Sequence, residues 1–520
     1  MVKGYGTLDM FVFNMNGLAP AAMMSTMIAL STAYYPGSNV LWSLIMSIPF
    51  VLCFALSYGA LAAAMPRSGG DHTFGSRVIH PTVGMMGAHM YDIVVHLIAD
   101  SIFPIYFFTY VIPLTLVLSF PENAAVQAFV PVMKEPWAVA IFGLIVIWVA
   151  CIVAVIGRPA WRPAQYVFTI VGFISVAIIV AILSTSTQAH FMTMFDRFAA
   201  GYGSSYTDVM SKATAAGWAS APFNLWMSVA PITYMYMYTF TAWPIYMSSE
   251  VKTGEKAVPV AIVSSIMTSL GVGILIAALY YYAVPNDFFS ALSYLAYIKP
   301  GDYPFPFNPE MITLMNILYP NPVTTFLVGM GLTLWNLSFV FGDFVITVRT
   351  LLYWAFDRLI PQKFAEVSPR WKTPAFSLVF YGICLSIVLL LELSYSTIGI
   401  IANMAVMVAV GFFPAQLSCM FLASRAKNIW EKGPSWIQAR VAGIPVTTIF
   451  GTISVIWNVF IILAYLFVFP YFGGPVTPLT IGFIAANLLV CIPWYYYARY
   501  YHLKKEGIDI AWAFKEVPPA

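Results

Sequence analysis

Long uncharged apolar runs recur along the chain, separated by short stretches that hold nearly all of its charge. A run of about 20 apolar residues is long enough to cross the hydrocarbon core of a bilayer as a helix. Twelve such runs can be marked, at 8–33, 40–64, 84–119, 136–156, 163–184, 218–248, 258–284, 322–350, 373–393, 396–423, 446–469 and 478–500. The pattern predicts an all-α integral membrane protein of about 12 transmembrane helices. Between the spans, Phe288 to Tyr297 reads as a short interfacial helix, and Arg349 to Lys372 as an extension of the eighth span along the membrane surface.

Two runs are interrupted near their middles. The first reads Phe13-Asn14-Met15-Asn16-Gly17-Leu18-Ala19-Pro20, and the sixth Tyr238-Thr239-Phe240-Thr241-Ala242-Trp243-Pro244. Gly and Pro are poor helix residues, and Pro removes a backbone donor. Inside a bilayer, unpaired backbone groups cost several kcal/mol unless protein, water or ligand satisfies them. One such break reads as a simple Pro kink. Two at matching positions read differently. If spans 1–5 and 6–10 are repeats, the odd number inverts the second set, and the breaks face each other near the midplane. That pairing points to a transporter's substrate site.

Composition sharpens the class. Apolar residues make up 61% of the chain and charged residues 9%, with a mean hydropathy of +0.82. Soluble domains carry about 25% charged residues. A net charge of +3 gives no reason to expect a nucleic-acid partner. The first run is too long for the apolar core of a cleaved signal and has only Lys3 ahead of it, so it reads as the first span. Cys53, Cys151, Cys384, Cys419 and Cys491 lie in apolar runs without CxxC spacing, as packing residues do. No cofactor or metal is expected. A haem enzyme would need His residues on facing helices, whereas His89 and His96 share one span and the other His lie outside the spans.

Charge also orients the chain. With the amino terminus in the cytoplasm, all but Lys134, Arg197, Lys212 and Lys299 of the 24 Lys and Arg fall on the cytoplasmic side. This bias places both termini inside a multi-pass protein of the plasma membrane.

The third span carries His89, Asp92, His96 and Asp100 at spacings that fall on one helical stripe. Ionisable residues at membrane depth usually face protein or water, and a row of Asp and His is suited to proton transfer. Asp100 is the first candidate for a proton carrier, with His96 and Asp92 below it; a purely structural network is the alternative. Asp343 in the eighth span is expected to pair with Arg349.

Three loops carry a family resemblance. Pro66-Arg67-Ser68-Gly69-Gly70 follows the second span, Glu250-Val251-Lys252-Thr253-Gly254-Glu255-Lys256-Ala257-Val258-Pro259 the sixth, and Arg349 through Ala355, Asp357 and Pro361 the eighth. In this order they resemble the loop motifs of the amino acid–polyamine–organocation (APC) superfamily of permeases. The resemblance implies a LeuT-like fold: a 5+5 inverted-repeat transport core over residues 1–424, then helices 11 and 12 with a short cytoplasmic tail over 425–520. It implies transport of an amino acid or related amine by alternating access, with no enzymatic activity. By position it assigns substrate contact to Asn16, Gly17, Leu18 and Ala19, and to Phe240, Thr241 and Ala242, with Trp243 or Phe240 closing over the substrate. The sixth-span break lacks an acid, which favours a neutral side chain. No Lys occurs between Gln165 and Thr185, where some proton-coupled relatives place one. Proton symport ranks ahead of exchange, and exchange ahead of sodium symport. A non-transporting nutrient sensor of the same fold is the remaining alternative.

Overall fold

A computed structural model describes residues 3–231, 241–395, 403–468 and 476–517. Phe240 therefore lies outside the described residues. Among the described residues, ten helices are long and apolar enough to span a membrane: Val40–Ala64, Pro81–Ser119, Pro136–Ile156, Arg158–Thr185, Gly254–Ala283, Pro322–Phe356, Ala375–Ser394, Met404–Arg425, Val446–Phe467 and Pro478–Glu506. The two expected spans missing from this set are the first and the sixth. The first is split into α1 (Thr7–Leu18) and α2 (Pro20–Tyr34). The sixth ends in a short 3₁₀ helix, Trp243–Glu250. The chain is an all-α membrane protein of about 12 helices; the first is broken where the sequence breaks, and Thr241 and Ala242 at the sixth-span interruption lie outside any helix.

The outward faces explain why this fold needs a bilayer. On Pro136–Ile156, Ile141, Ile145, Val149 and Ile152 are all about half exposed. They recur three and four residues apart, so one apolar stripe faces outward. Ile383, Ile387 and Leu390 do the same on Ala375–Ser394. In water such stripes would be a liability; in lipid they meet their own solvent.

We label the remaining elements that position the site as α3 (Val40–Ala64), α4 (Gly70–Val78), α5 (Pro81–Ser119), α6 (Arg158–Thr185), α7 (Gly254–Ala283), α8 (Asn286–Tyr297), α9 (Met311–Leu318) and α10 (Pro322–Phe356). α8 matches the short helix expected at Phe288 to Tyr297. It is amphipathic, with Phe288, Phe289, Leu292 and Leu295 buried. α10 runs past the expected end of the eighth span to Phe356, and the chain then turns through Asp357. Helices Ala124–Met133, Gln188–Ala200 and Tyr206–Ala215 and a two-stranded hairpin pairing Arg440–Val441 with Ile444–Pro445 lie between spans. The hydropathy pattern did not mark them.

α5 is not a uniform α-helix. Its turns widen to π geometry at His89–Val95 and again at Phe107–Val111. Such wide turns are common at functional sites, and each shifts the faces of the residues beyond it.

Candidate functional site

The first break falls two residues later than Gly17. Ala19 adopts φ 36°, ψ 55°, the left-handed region that a residue with a Cβ enters at a cost. The cause is Pro20, whose ring disfavours α-helical geometry at the residue before it and whose fixed φ suits the first position of the new helix. The last carbonyls of α1 and the first amides of α2 consequently have no partner within their own helices. Some find one elsewhere. Ala19 N–H donates to the Met15 carbonyl at 2.9 Å, and Ser338 Oγ donates to that of Asn16 at 3.1 Å.

Gly17 itself lies inside α1, where it serves a close contact. A Cβ added there would sit 2.7 Å from the indole of Trp243, and one added at Gly342 would sit 2.5 Å from the same ring. Trp243 is thus wedged between α1 and α10. Phe13 lies beside it at 5.2 Å and Phe339 meets it edge-on at 5.6 Å. Asn14 fixes the junction: its Oδ1 accepts the Trp243 N–H at 3.1 Å, and its Nδ2 donates to Ser265 of α7 at 2.7 Å. Asn14 was absent from the expected site residues, although it stands in the interrupted stretch. Asn16, which was among them, turns to α6. Its Nδ2 donates to Gln165 Oε1 at 2.7 Å, and its Oδ1 accepts from Thr169 at 2.7 Å. Leu18, Ala19, Thr241 and Ala242 are all buried, and Thr241 Oγ1 has no hydrogen-bond partner among the described residues.

The stripe on α5 is divided by the wide turn. His89 packs against Trp354 and Trp494, away from the acids. Asp92, His96 and Asp100 face the protein interior and are buried. Asp92 accepts from Tyr246 at 2.5 Å and from Thr350 at 2.6 Å. His96 Nδ1 lies 3.3 Å from the Asp92 carbonyl, and its Nε2 3.5 Å from Asp343. Asp100 accepts from Tyr381 at 3.0 Å and faces Asp343.

Asp343 does not pair with Arg349 as expected. Six residues turn a helix through about 240° beyond a full circle, so the two side chains diverge. Arg349 pairs instead with Glu250, at 2.5 Å.

Asp71, in the loop motif after the second span, joins this network. Its Oδ2 lies 2.8 Å from the hydroxyl of Tyr246, the same hydroxyl that lies 2.5 Å from Asp92. Tyr58 donates to its other oxygen at 2.8 Å. A phenol has one proton to give and lone pairs with which to accept. Two carboxyls around one hydroxyl are therefore both satisfied when one of them is protonated and donates. Burial raises the Asp71 carboxyl to about 7, against the opposing pull of the Tyr246 and Tyr58 hydrogen bonds. The sequence hinted at this acid only through its place beside the double glycine.

Beyond the first break, starting one turn along α2 at Ala22, lies a cavity of 510 Å³. It is bounded by α2, α5, α10 and the segment between α8 and α9. Glu310 reaches into it. None of residues 16–19 or 241–243 lines it.

Membrane-spanning helices, the first span broken at Ala19 and packed through Gly17 on Trp243 of the segment after the sixth-span interruption, define a polytopic membrane protein. The chain matches the family model described as amino acid permease over residues 6–493, and it belongs to that family. It is a multi-pass membrane transporter for amino acids. No curated protein matches the chain.

Proposed function

We propose that this permease is a proton-coupled amino acid symporter of the plasma membrane, working by alternating access about the breaks of the first and sixth spans. The observation that carries this reading is the junction of the two broken helices: Ala19 in left-handed geometry, the Thr241–Ala242 stretch opposite, and Trp243 seated on Gly17. Amides at the start of α2 suit a carboxylate, and carbonyls at the end of α1 suit an ammonium, so an amino acid zwitterion matches both. Gly17, Leu18, Ala19, Thr241, Ala242 and Phe240 border the substrate in this reading. Asn16 holds α1 to α6, and Trp243 seals the side toward the amino terminus. Spans 1–5 and 6–10 form the inverted repeats of the transport core, with residues 425–520 added outside it. Both termini are cytoplasmic.

The proton moves through the acids of α5. Asp100, His96 and Asp92 descend toward the amino-terminal face, and Asp71 and Tyr246 extend the row. Tyr246 sits in the part of the sixth span that follows the interruption, so a change in that part alters how Asp71 and Asp92 share their proton. That link supports coupling over a purely structural network.

Uptake of radiolabelled amino acids into proteoliposomes tests both parts. Acid outside is expected to drive concentration of a neutral amino acid, and dissipating the pH gradient is expected to stop it. Asp100→Asn and Asp92→Asn are each expected to abolish gradient-driven accumulation while leaving exchange of substrate across the membrane. Accumulation that ignores pH in the wild type sinks the proton assignment. Exchange alone in the wild type identifies an exchanger, and binding without any flux a sensor.

A further inference from the structure

The cavity beyond α2 holds a carboxylate that the amino acid site does not use. Glu310 stands at the start of α9 and is 7% exposed. Its Oε2 accepts from Ser25 of α2 at 3.0 Å, and its Oε1 accepts from Tyr106 of α5 at 3.3 Å. Ser25 in turn accepts the Met311 amide at 2.9 Å, so the carboxylate is held in place by three elements. No Lys, Arg or His among the described residues pairs with it, and the remaining residues, 1–2, 232–240, 396–402, 469–475 and 518–520, contain none of these.

A buried carboxylate without a counter-ion is costly. Around it the cavity wall is aromatic: Phe103, Tyr106, Tyr110 and Tyr297 all line it. The hydroxyl of Tyr110 is buried and finds no partner among the described residues. Aromatic faces attract organic cations, most strongly where water is excluded. A fixed anion, a ring of π faces and an unused hydroxyl acceptor form a receptor for an ammonium head with an apolar stem. The cavity volume accommodates a chain of several carbons.

We propose that this cavity is a binding site for a primary organic ammonium ion, with Glu310 as its counter-ion. The assignment concerns binding and stands whether or not the chain transports what it binds. It lies apart from residues 16–19 and 241–243, so a neutral amino acid at the breaks and an amine here do not compete for the same groups.

Burial raises the Glu310 carboxyl to about 7, with the hydrogen bonds from Ser25 and Tyr106 pulling the other way. The titratable groups that face it are Tyr106, Tyr110 and Tyr297; all remain neutral phenols near neutral pH. An aliphatic amine is fully protonated across this range, so only the carboxyl titrates. The ammonium needs the ionised form, and its binding displaces a proton.

The test uses the purified full-length protein, with 1,4-diaminobutane and butylamine as probes and butanol and butyrate as controls, read by thermal shift and calorimetric titration. The two amines are expected to bind and raise the melting temperature, while the controls do not. Amine affinity is expected to rise roughly tenfold from about pH 6 to about pH 8, as the carboxylate fraction does. Glu310→Gln keeps one acceptor oxygen, for Ser25, and turns its amide N–H toward the Tyr106 hydroxyl, which can accept it; it is expected to lose at least about tenfold in amine affinity and all of the pH dependence. Amine binding that is independent of pH in the wild type overturns the proposal without any variant. So does Glu310→Gln protein that binds the amines within about twofold of wild type, or butanol binding as tightly as butylamine.

Discussion

The contact between Gly17 and Trp243 is where a single atom has the largest foreseeable effect. A methyl group at Gly17 lies within 2.8 Å of three indole atoms, all on one face of the ring. Trp243 is held on its far side by Gly342 and flanked by Phe13 and Phe339, so it has little room to retreat. Overpacking of this kind costs about 1–3 kcal/mol. Gly17→Ala is expected to lower the melting temperature and weaken amino acid binding. Combining it with Trp243→Leu is expected to cost less than the two changes added separately, because the pair shares one contact. Strict additivity in thermal unfolding would place the two residues apart. The same contact shows what residue-level reading misses. Gly17 was legible as a position that must stay small; that the neighbour is an indole, and that Asn16 faces Gln165 and Thr169 instead, depends on helices about 150 and 230 residues away.

Among the elements, α4 and the end of α10 are joined by an ionic cluster that draws on two of the loop motifs. Arg77 donates to both oxygens of Asp357, at 2.7 and 2.6 Å, and His72 Nε2 lies 2.7 Å from the same carboxylate. Burial alone would raise the Asp357 carboxyl, but the charge of Arg77 and the hydrogen bonds of His72 and Arg77 outweigh it and hold it below its ordinary range. Burial holds the His72 imidazole below its ordinary value, so it is neutral and donates from Nε2. The signs agree. The Asp357 contribution is present above the ordinary carboxyl range and is lost as pH falls through its lowered value. The His72 contribution is lost as pH drops below about 6.5, where the unfolded chain takes up a proton that the folded one resists. Asp71 and Glu310 act in the opposite sense: both are raised to about 7, so what they contribute is lost as pH rises through that value. Between about pH 5 and 7 the two protons that Asp71 and Glu310 keep outweigh the one that His72 resists, so the melting temperature is expected to fall as pH rises over that range and to level off above about 7. Asp357→Asn leaves Arg77 buried without its partner and is expected to cost about 3–5 kcal/mol; a loss below about 1 kcal/mol in denaturant or thermal unfolding would show the cluster to be solvated. The loop motif made Asp357 visible in the sequence, whereas its pairing across 280 residues with Arg77 did not follow from the pattern.

At the level of the whole molecule, one face is closed by ties between distant segments. The amides of Gly4 and Tyr5 donate to the Glu250 carbonyl at 2.9 and 3.2 Å, and that of Lys252 donates to the Tyr5 carbonyl at 3.1 Å. Arg349 holds Glu250, and Arg162 holds Asp9 at 2.6 Å. The amino-terminal segment, the end of the sixth span, α6 and α10 are thereby latched together. In the proposed alternating-access cycle, movement of the helix halves has to undo this latch. Glu250→Gln weakens its central ion pair and is expected to speed amide hydrogen exchange at Gly4, Tyr5 and Lys252 by about tenfold for each 1.4 kcal/mol lost, with the amides of Pro136–Ile156 unaffected. Uniform acceleration across the chain would mean general destabilisation rather than release of one face.

The sequence by itself determined the class, a count of about 12 spans and the place where the first helix breaks. These follow from local physics: an apolar run of sufficient length has to be a helix in lipid, and Pro20 is suited to the first position of a new helix. Pro alone does not force a break, since Pro49, Pro259 and Pro414 lie inside continuous helices. The loop motifs likewise carried the family, which the match over residues 6–493 shows. The tertiary structure alone decided which polar groups meet. Asp343 turned from Arg349 to His96 and Asp100, His89 was separated from Asp92 by a widened turn, and Asp71, Tyr246 and Asp92 were drawn around one hydroxyl. Glu310, to which the sequence pattern assigned no role, became the one carboxylate among the described residues that line the cavity beyond α2. Hydrophobic periodicity records which side of a helix is buried. It carries no information about which of eleven other helices that side is buried against, and for charged groups in a low-dielectric interior the identity of the partner decides the chemistry.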